Sequence, residues 1–141
     1  KRIASTSRRE QITLQSARSI AEYFMEQLRH EPQEHLMLAM FDNKSMLIGE
    51  KLLSTGTSNA ALISAKDIYR TALQYQAAYV VVLHNHPSGN PEPSREDILV
   101  TRKIKACGEL LDILLMDHII IGDNRYFSFR EQDILFEKGR D

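Results

Sequence analysis

Apolar residues at Ala17, Ile20, Ala21, Phe24 and Leu28 recur in steps of three and four. That is the spacing of one helical face, so a helix is predicted from Ser16, and Pro32 forbids its continuation. The period then drops to two. Leu36, Leu38 and Met40 alternate within His35–Phe41, which reads as a strand. Asp42-Asn43-Lys44 supplies turn chemistry, and Met46–Leu53 reads as the second arm of a hairpin, followed by a small-residue loop at Ser54–Asn59. Ser64 with Asp67 marks a helix start, and Ile68, Ala72 and Leu73 give that helix an apolar stripe into Ala77. Tyr79–Leu83 is an unbroken apolar, β-branched run, as expected of a strand covered on both faces. His86–Pro93 is loop, Ser94 opens a helix to about Leu111, and Ile113–Ile121 and Tyr126–Phe129 are strands separated by a turn at Gly122–Arg125. Two-period and helical segments in this order predict an α/β sandwich, a mixed sheet with helices packed on it.

Length and composition narrow the functional classes. The chain has 141 residues, 43% of them apolar, which is room for one ordinary globular domain. Residues 1–15 form a polar lead-in, basic at Lys1, Arg2, Arg8 and Arg9, and the domain is expected over 16–141. Lysine and arginine number 18 against 19 acidic residues, so neither a polybasic membrane binder nor a generic nucleic-acid coat is expected. The single cysteine, Cys107, excludes an internal disulfide and a Cys-based zinc cluster and reads as a helix packing residue. With no apolar run long enough for a membrane span and no signal-peptide pattern, a cytoplasmic protein is expected. The chain opens on Lys1 rather than Met, as a piece of something longer would.

The chemistry concentrates at His84-Asn85-His86-Pro87-Ser88-Gly89 and the following Ser94 and Asp97. Histidines at i and i+2 leave a strand on the same side, and the proline-rich loop can fold back to bring Asp97 beside them. Two imidazoles and one carboxylate would leave a tetrahedral zinc one open position, the catalytic rather than the closed structural arrangement. Ser94 and Asp97 also have a purely structural reading, as N-cap and N3 carboxylate of the next helix. Glu50 shares a period-two face with Met46, Ile48 and Leu52, which turns its carboxylate inward; the other phase, Leu47, Gly49, Lys51 and Leu53, would leave Glu50 solvated. Asp117 and His118 interrupt an apolar run. His118 could be a further ligand, but opposite-facing residues, one of them hydrogen-bonded within the fold, are the preferred reading.

The string at 84–97, with Thr101, Glu109-Leu110-Leu111, Asp117-His118-Ile119-Ile120-Ile121-Gly122 and Ser128, resembles the RadC family, whose domain is a JAMM-type (MPN+) metalloprotease domain. The resemblance runs from about Leu36 to Arg130 and departs from the family's pattern at Ala65-Lys66-Asp67 and Asp112, away from the site. It implies a cytidine-deaminase-like α/β/α fold, one Zn2+ per chain held by His84, His86 and Asp97, and a helix-hairpin-helix-type region upstream in the longer protein. Glu50 is the candidate for the pattern's distant glutamate and general base, and Ser94 for the donor to the oxyanion. The implied activity is hydrolysis of a peptide or isopeptide bond in an unidentified peptide or protein substrate. The competing reading is a DNA-associated module whose metal is structural or idle, with DNA contacted through the upstream region; a metal-dependent nuclease ranks below both.

Overall fold

The computed structural model describes residues 16–56 and 63–136. The polar lead-in at 1–15 lies outside the described residues. Among the described residues, three helices and five strands follow in the order α1 (Ala17–Leu28), β1 (Glu34–Phe41), β2 (Leu47–Gly56), α2 (Ala65–Gln74), β3 (Tyr79–Asn85), α3 (Arg95–Leu111), β4 (Leu114–Ile121) and β5 (Tyr126–Ser128). The strands form one mixed sheet, ordered β2-β1-β3-β4-β5. Only β3 and β4 run parallel, because α3 carries the chain back across the sheet between them, whereas short connections make β1–β2 and β4–β5 antiparallel.

Each face of the sheet has its own core. Leu36, Leu38, Met40, Val80 and Val82 pack against Ile68, Tyr69 and Ala72 of α2 and Ile104 of α3. The alternate residues Met37, Ala39, Phe41, Val81 and Leu83 pack against Ile20, Ala21, Phe24 and Leu28 of α1. The result is the expected α/β/α sandwich. The helix starts follow the sequence signals, since Ser16, Ser64 and Ser94 each cap a helix by accepting a backbone N–H. Asp112 closes α3 in the left-handed region at φ 58°.

The largest difference from the expected strands is at β2. β1 begins one residue early, at Glu34, and β2 runs on to Gly56. The β1–β2 pairing skips Ile48 and Leu53, where register shifts interrupt the ladder. Such bulges reverse the parity of side-chain direction. Ile48 therefore packs on the α2/α3 side while Glu50, opposite Ala39, points to the α1 side.

The loop after β3 is docked on the β4–β5 turn. His86 N donates to Ile121 O at 2.9 Å and Asp123 N donates to Gly89 O at 2.9 Å. Gly122 permits this approach, since a Cβ there would lie 2.4 Å from Gly89 O and 2.9 Å from Pro91 Cδ. Gly122→Ala is expected to displace the loop that carries His86 and to destabilise the fold by about 1–3 kcal/mol, read by urea denaturation; an unchanged midpoint would show that the loop yields without cost.

Below β5, buried Asp117 organises the turn that follows. Its Oδ1 accepts from His118 N at 2.8 Å and Arg130 N at 3.0 Å, and its Oδ2 accepts from Ser128 Oγ at 2.5 Å. Burial pushes the carboxyl up to about 6, against the opposing pull of the Ser128, Arg130 and His118 donors. A carboxyl with a raised folded pKa binds its proton more tightly in the folded state, so its favourable contribution is complete below the unfolded pKa and is lost as pH rises through about 6. Asp117→Asn, which keeps the acceptor for both backbone donors, is expected to remove a slope of on the order of 2–3 kcal/mol in unfolding free energy between pH 4 and 7. Superimposable pH–stability curves would contradict this.

Candidate metal centre

The site forms where β3 ends. His84 is the penultimate residue of β3, on the face that carries Val80 and Val82, and His86 follows the strand. Asp97 enters from the first turn of α3, which packs on the same face. His84 Nε2 lies 3.1 Å from His86 Nε2, 3.5 Å separates it from Asp97 Oδ1, and His86 Nε2 is 3.3 Å from Asp97 Oδ2. Two ligands about 2.0–2.1 Å from a tetrahedral zinc stand roughly 3.3–3.4 Å apart, so the three groups already have the spacing of a shared ion.

The donor chemistry fits a cation as well. Asp97 is fully buried, and its Oδ1 has no hydrogen-bond partner among the described residues. Asp97 Oδ2 accepts from Ser94 N at 2.8 Å, while Ser94 Oγ accepts from Asp97 N at 3.0 Å, a reciprocal capping box. The capping and site readings of Asp97 therefore coexist: Oδ2 secures the helix and also lies near His86, while Oδ1 lies near His84. His86 Nδ1 is 3.0 Å from Asn90 O. A carbonyl can only accept, so Nδ1 carries hydrogen and Nε2 turns toward the site. The three residues are also the one group of potential metal ligands that converges among the described residues.

Burial dominates the electrostatics. It pulls His84 down to about 4, with the charge of Asp97 opposing and that of His86 adding. Burial also lowers His86, but Asp97, the Asn90 carbonyl and Glu34 together outweigh it and hold this imidazole above its ordinary value. For Asp97, burial acts upward, yet His86, His84, the Ser94 N–H and His118 prevail and keep the carboxyl well below the usual range. The carboxylate thus persists as a buried anion beside two nitrogens, a costly arrangement without a cation.

His118 stands behind this group. Its Nε2 lies 2.8 Å from His84 Nδ1 and its Nδ1 lies 2.6 Å from Thr101 Oγ1, while Phe129 stacks on its ring at 4.9 Å between centroids. Both ring nitrogens are engaged, so His118 supports His84 and does not join the three convergent groups. Asp117, its neighbour, bonds the β5 turn instead.

The sequence-based placement of Glu50 requires correction. Tyr23 Oη of α1 donates to Glu50 Oε1 at 3.2 Å, which puts this carboxylate on the opposite face of the sheet from His84. Glu34 is the glutamate that lies near the histidine–aspartate group. Leu36 pairs with His84 across the antiparallel β1–β3 ladder, so Glu34 sits one step beyond the last rung, beside His86 and on the face of Leu36. Its Oε1 is buried without a hydrogen-bond partner among the described residues. Burial raises the Glu34 carboxyl above its usual range, His86 draws it back and Asp97 pushes it further. Asn85 holds the segment: Oδ1 accepts from His35 N at 2.6 Å and Nδ2 donates to Gln33 O at 3.0 Å, replacing the rung the strand lacks. The available signal was the alternation Leu36, Leu38, Met40 extended two residues back.

The profile of the RadC-like JAB domain matches residues 14–134. The chain belongs to the RadC-like JAB domain family. A UPF0758 protein of Clostridium perfringens is 41% identical over 125 residues, covering 89% of this chain and 55% of the relative. One from Clostridium kluyveri is 42% identical over 120 residues, covering 85% of this chain and 53% of the relative. One from Bacillus velezensis is 37% identical over 134 residues, covering 95% and 58%. This RadC-like domain thus spans a little over half the length of these relatives.

Within the RadC-like domain, Asp97→Asn separates the two duties of that side chain. An amide oxygen still accepts the Ser94 N–H, so helix capping is expected to change by less than about 1 kcal/mol. Calorimetric titration with a divalent metal is expected to show affinity lost by orders of magnitude, and binding abolished in His84→Ala and His86→Ala. Affinity equal to wild type in Asp97→Asn would reduce Asp97 to a cap.

Proposed function

We propose that the domain is a zinc-dependent hydrolase of amide bonds, a peptidase or isopeptidase, with His84, His86 and Asp97 holding the ion. The observation that carries this reading is the Glu34 carboxylate beside the histidine–aspartate group, with its Oε1 buried and without a hydrogen-bond partner among the described residues. A structural centre has no use for such a base, and the residue that could close the coordination, His118, is turned to Thr101 and His84. When bound, zinc supplies Lewis acidity and lowers the pKa of its water to about 7.

The chain's own groups divide the remaining tasks. Glu34 takes the proton of the attacking water and returns it to the leaving nitrogen, a role suited to a carboxylate whose basicity burial has raised. Ser94 Oγ uses a lone pair to accept the Asp97 N–H, which leaves its hydroxyl hydrogen to stabilise the developing oxyanion, worth roughly 3 kcal/mol when well placed. His84 is held neutral by burial and so presents a nitrogen lone pair near neutral pH. Glu50, bonded to Tyr23 across the sheet, has no part in this chemistry.

Glu34→Gln is expected to retain fold and zinc and to lower cleavage of peptide or isopeptide substrates by about 10²–10⁴-fold, the usual worth of a positioned acid–base group. Glu50→Gln should leave turnover within about twofold. Screening zinc-loaded protein against a peptide and isopeptide library, with nucleic acid as control, supplies the assay. Full activity in Glu34→Gln, or cleavage of nucleic acid alone, would overturn the assignment.

A further inference from the structure

The buried groups behind the metal centre form a closed path between two of its ligands. Thr101 Oγ1 lies 2.6 Å from Asp97 O, its own i−4 carbonyl, and 2.6 Å from His118 Nδ1. His118 Nε2 lies 2.8 Å from His84 Nδ1. All four residues are essentially excluded from solvent. Every contact this short needs one hydrogen between its heavy atoms, and the position of each hydrogen follows from the end of the path. A carbonyl has none to give, so the Thr101 hydroxyl donates to Asp97 O. That uses the only hydrogen on Thr101, so His118 Nδ1–H must donate to Thr101 Oγ1. His118 Nε2 is then a lone pair, and His84 Nδ1–H must donate to it. His84 Nε2 is left bare and faces His86 and Asp97.

We propose that Thr101 is a positioning residue that sets the tautomer of His84 through His118, and so keeps a lone pair rather than a hydrogen pointed into the metal centre. The need for such a device is visible at the site. In the metal-free protein, a hydrogen on His84 Nε2 would face the unpartnered Asp97 Oδ1 at 3.5 Å and the His86 nitrogen at 3.1 Å. Local attraction therefore favours the tautomer that blocks metal entry. Thr101 opposes it from the far side of His118, because reversing the path would leave two hydrogen-free acceptors, His118 Nδ1 and Thr101 Oγ1, in contact. Each ring carries one hydrogen in either arrangement. Phe129 stacks on His118 with the two ring planes 3° from parallel, which restricts rotation of the imidazole out of that plane.

The inference rests on the metal centre described above, and its test separates the two. Thr101→Val matches the shape of threonine and removes the hydroxyl; Thr101→Ser keeps it. Long-range 1H–15N correlation spectra of the metal-free 15N-labelled protein report which nitrogen of each histidine carries hydrogen. Wild type and Thr101→Ser are expected to show His84 and His118 protonated at Nδ1. Thr101→Val is expected to shift both rings toward Nε2–H and to weaken Zn2+ binding in a competition titration by ~10–100-fold, the usual effect of losing such a supporting contact. Unchanged tautomers in Thr101→Val, or an equal loss of affinity in the serine and valine variants, would overturn the proposal. Wild-type protein that shows the expected tautomers but binds no zinc would instead overturn the metal centre itself.

Discussion

A buried carboxylate without solvent must have its charge answered by what surrounds it, and the molecule is arranged around that requirement at Asp97. One oxygen accepts the backbone N–H that begins α3 and lies 3.3 Å from His86 Nε2, and the other lies 3.5 Å from His84 Nε2 with no hydrogen bond among the described residues. Burying an isolated anion costs several kcal/mol in real proteins. The fold meets this cost with directed dipoles on one side and with His84 and His86 on the other. The helix start, the strand end and the intervening loop are therefore held to one geometry by a single side chain. Its unpartnered oxygen, together with the two imidazoles, could hold a metal ion.

The scaffold supplies this geometry from rigid elements. His84 belongs to the central strand, covered by α1 on one face and by α2 and α3 on the other. His86 lies in a loop, but that loop is fastened to β4 and its turn by Ile121 O, Asp123 N and the close packing at Gly122. Glu34 stands where β1 outruns β3, and Asn85 extends the ladder by one side chain to hold it there. Asn85 thus connects the two halves of the site while its neighbours on either side point at the metal position.

Several polar groups buried behind the site are linked into one chain of contacts. His84, His118, Thr101 and Asp97 use every hydrogen they share, and the aromatic ring of Phe129 closes the set. A partly satisfied network of this kind would be worse than an apolar core. Satisfied, it orders the ring planes and gives each heteroatom one role.

Much of this was legible along the chain. The apolar steps of three and four located α1 and α2, the unbroken run at Tyr79–Leu83 identified the doubly covered strand, and His84, His86, Ser94 and Asp97 stood out by local spacing. These are properties of neighbours in sequence, so periodicity and capping chemistry are enough to read them. The distant glutamate was not legible in the same way. A strict period of two favoured Glu50, but bulges at Ile48 and Leu53 reverse the parity of β2, and a bulge depends on how two strands pair rather than on either alone. Glu34 reaches the site because β1 and β3 are set in a register that places it one step past His84's partner. The role of His118, too, appears only when β4 lies parallel beside β3. Sequence determined which residues could do chemistry and which local elements carry them; sheet register and helix packing decided which of them share a face, because those distances are set between strands and not along the chain.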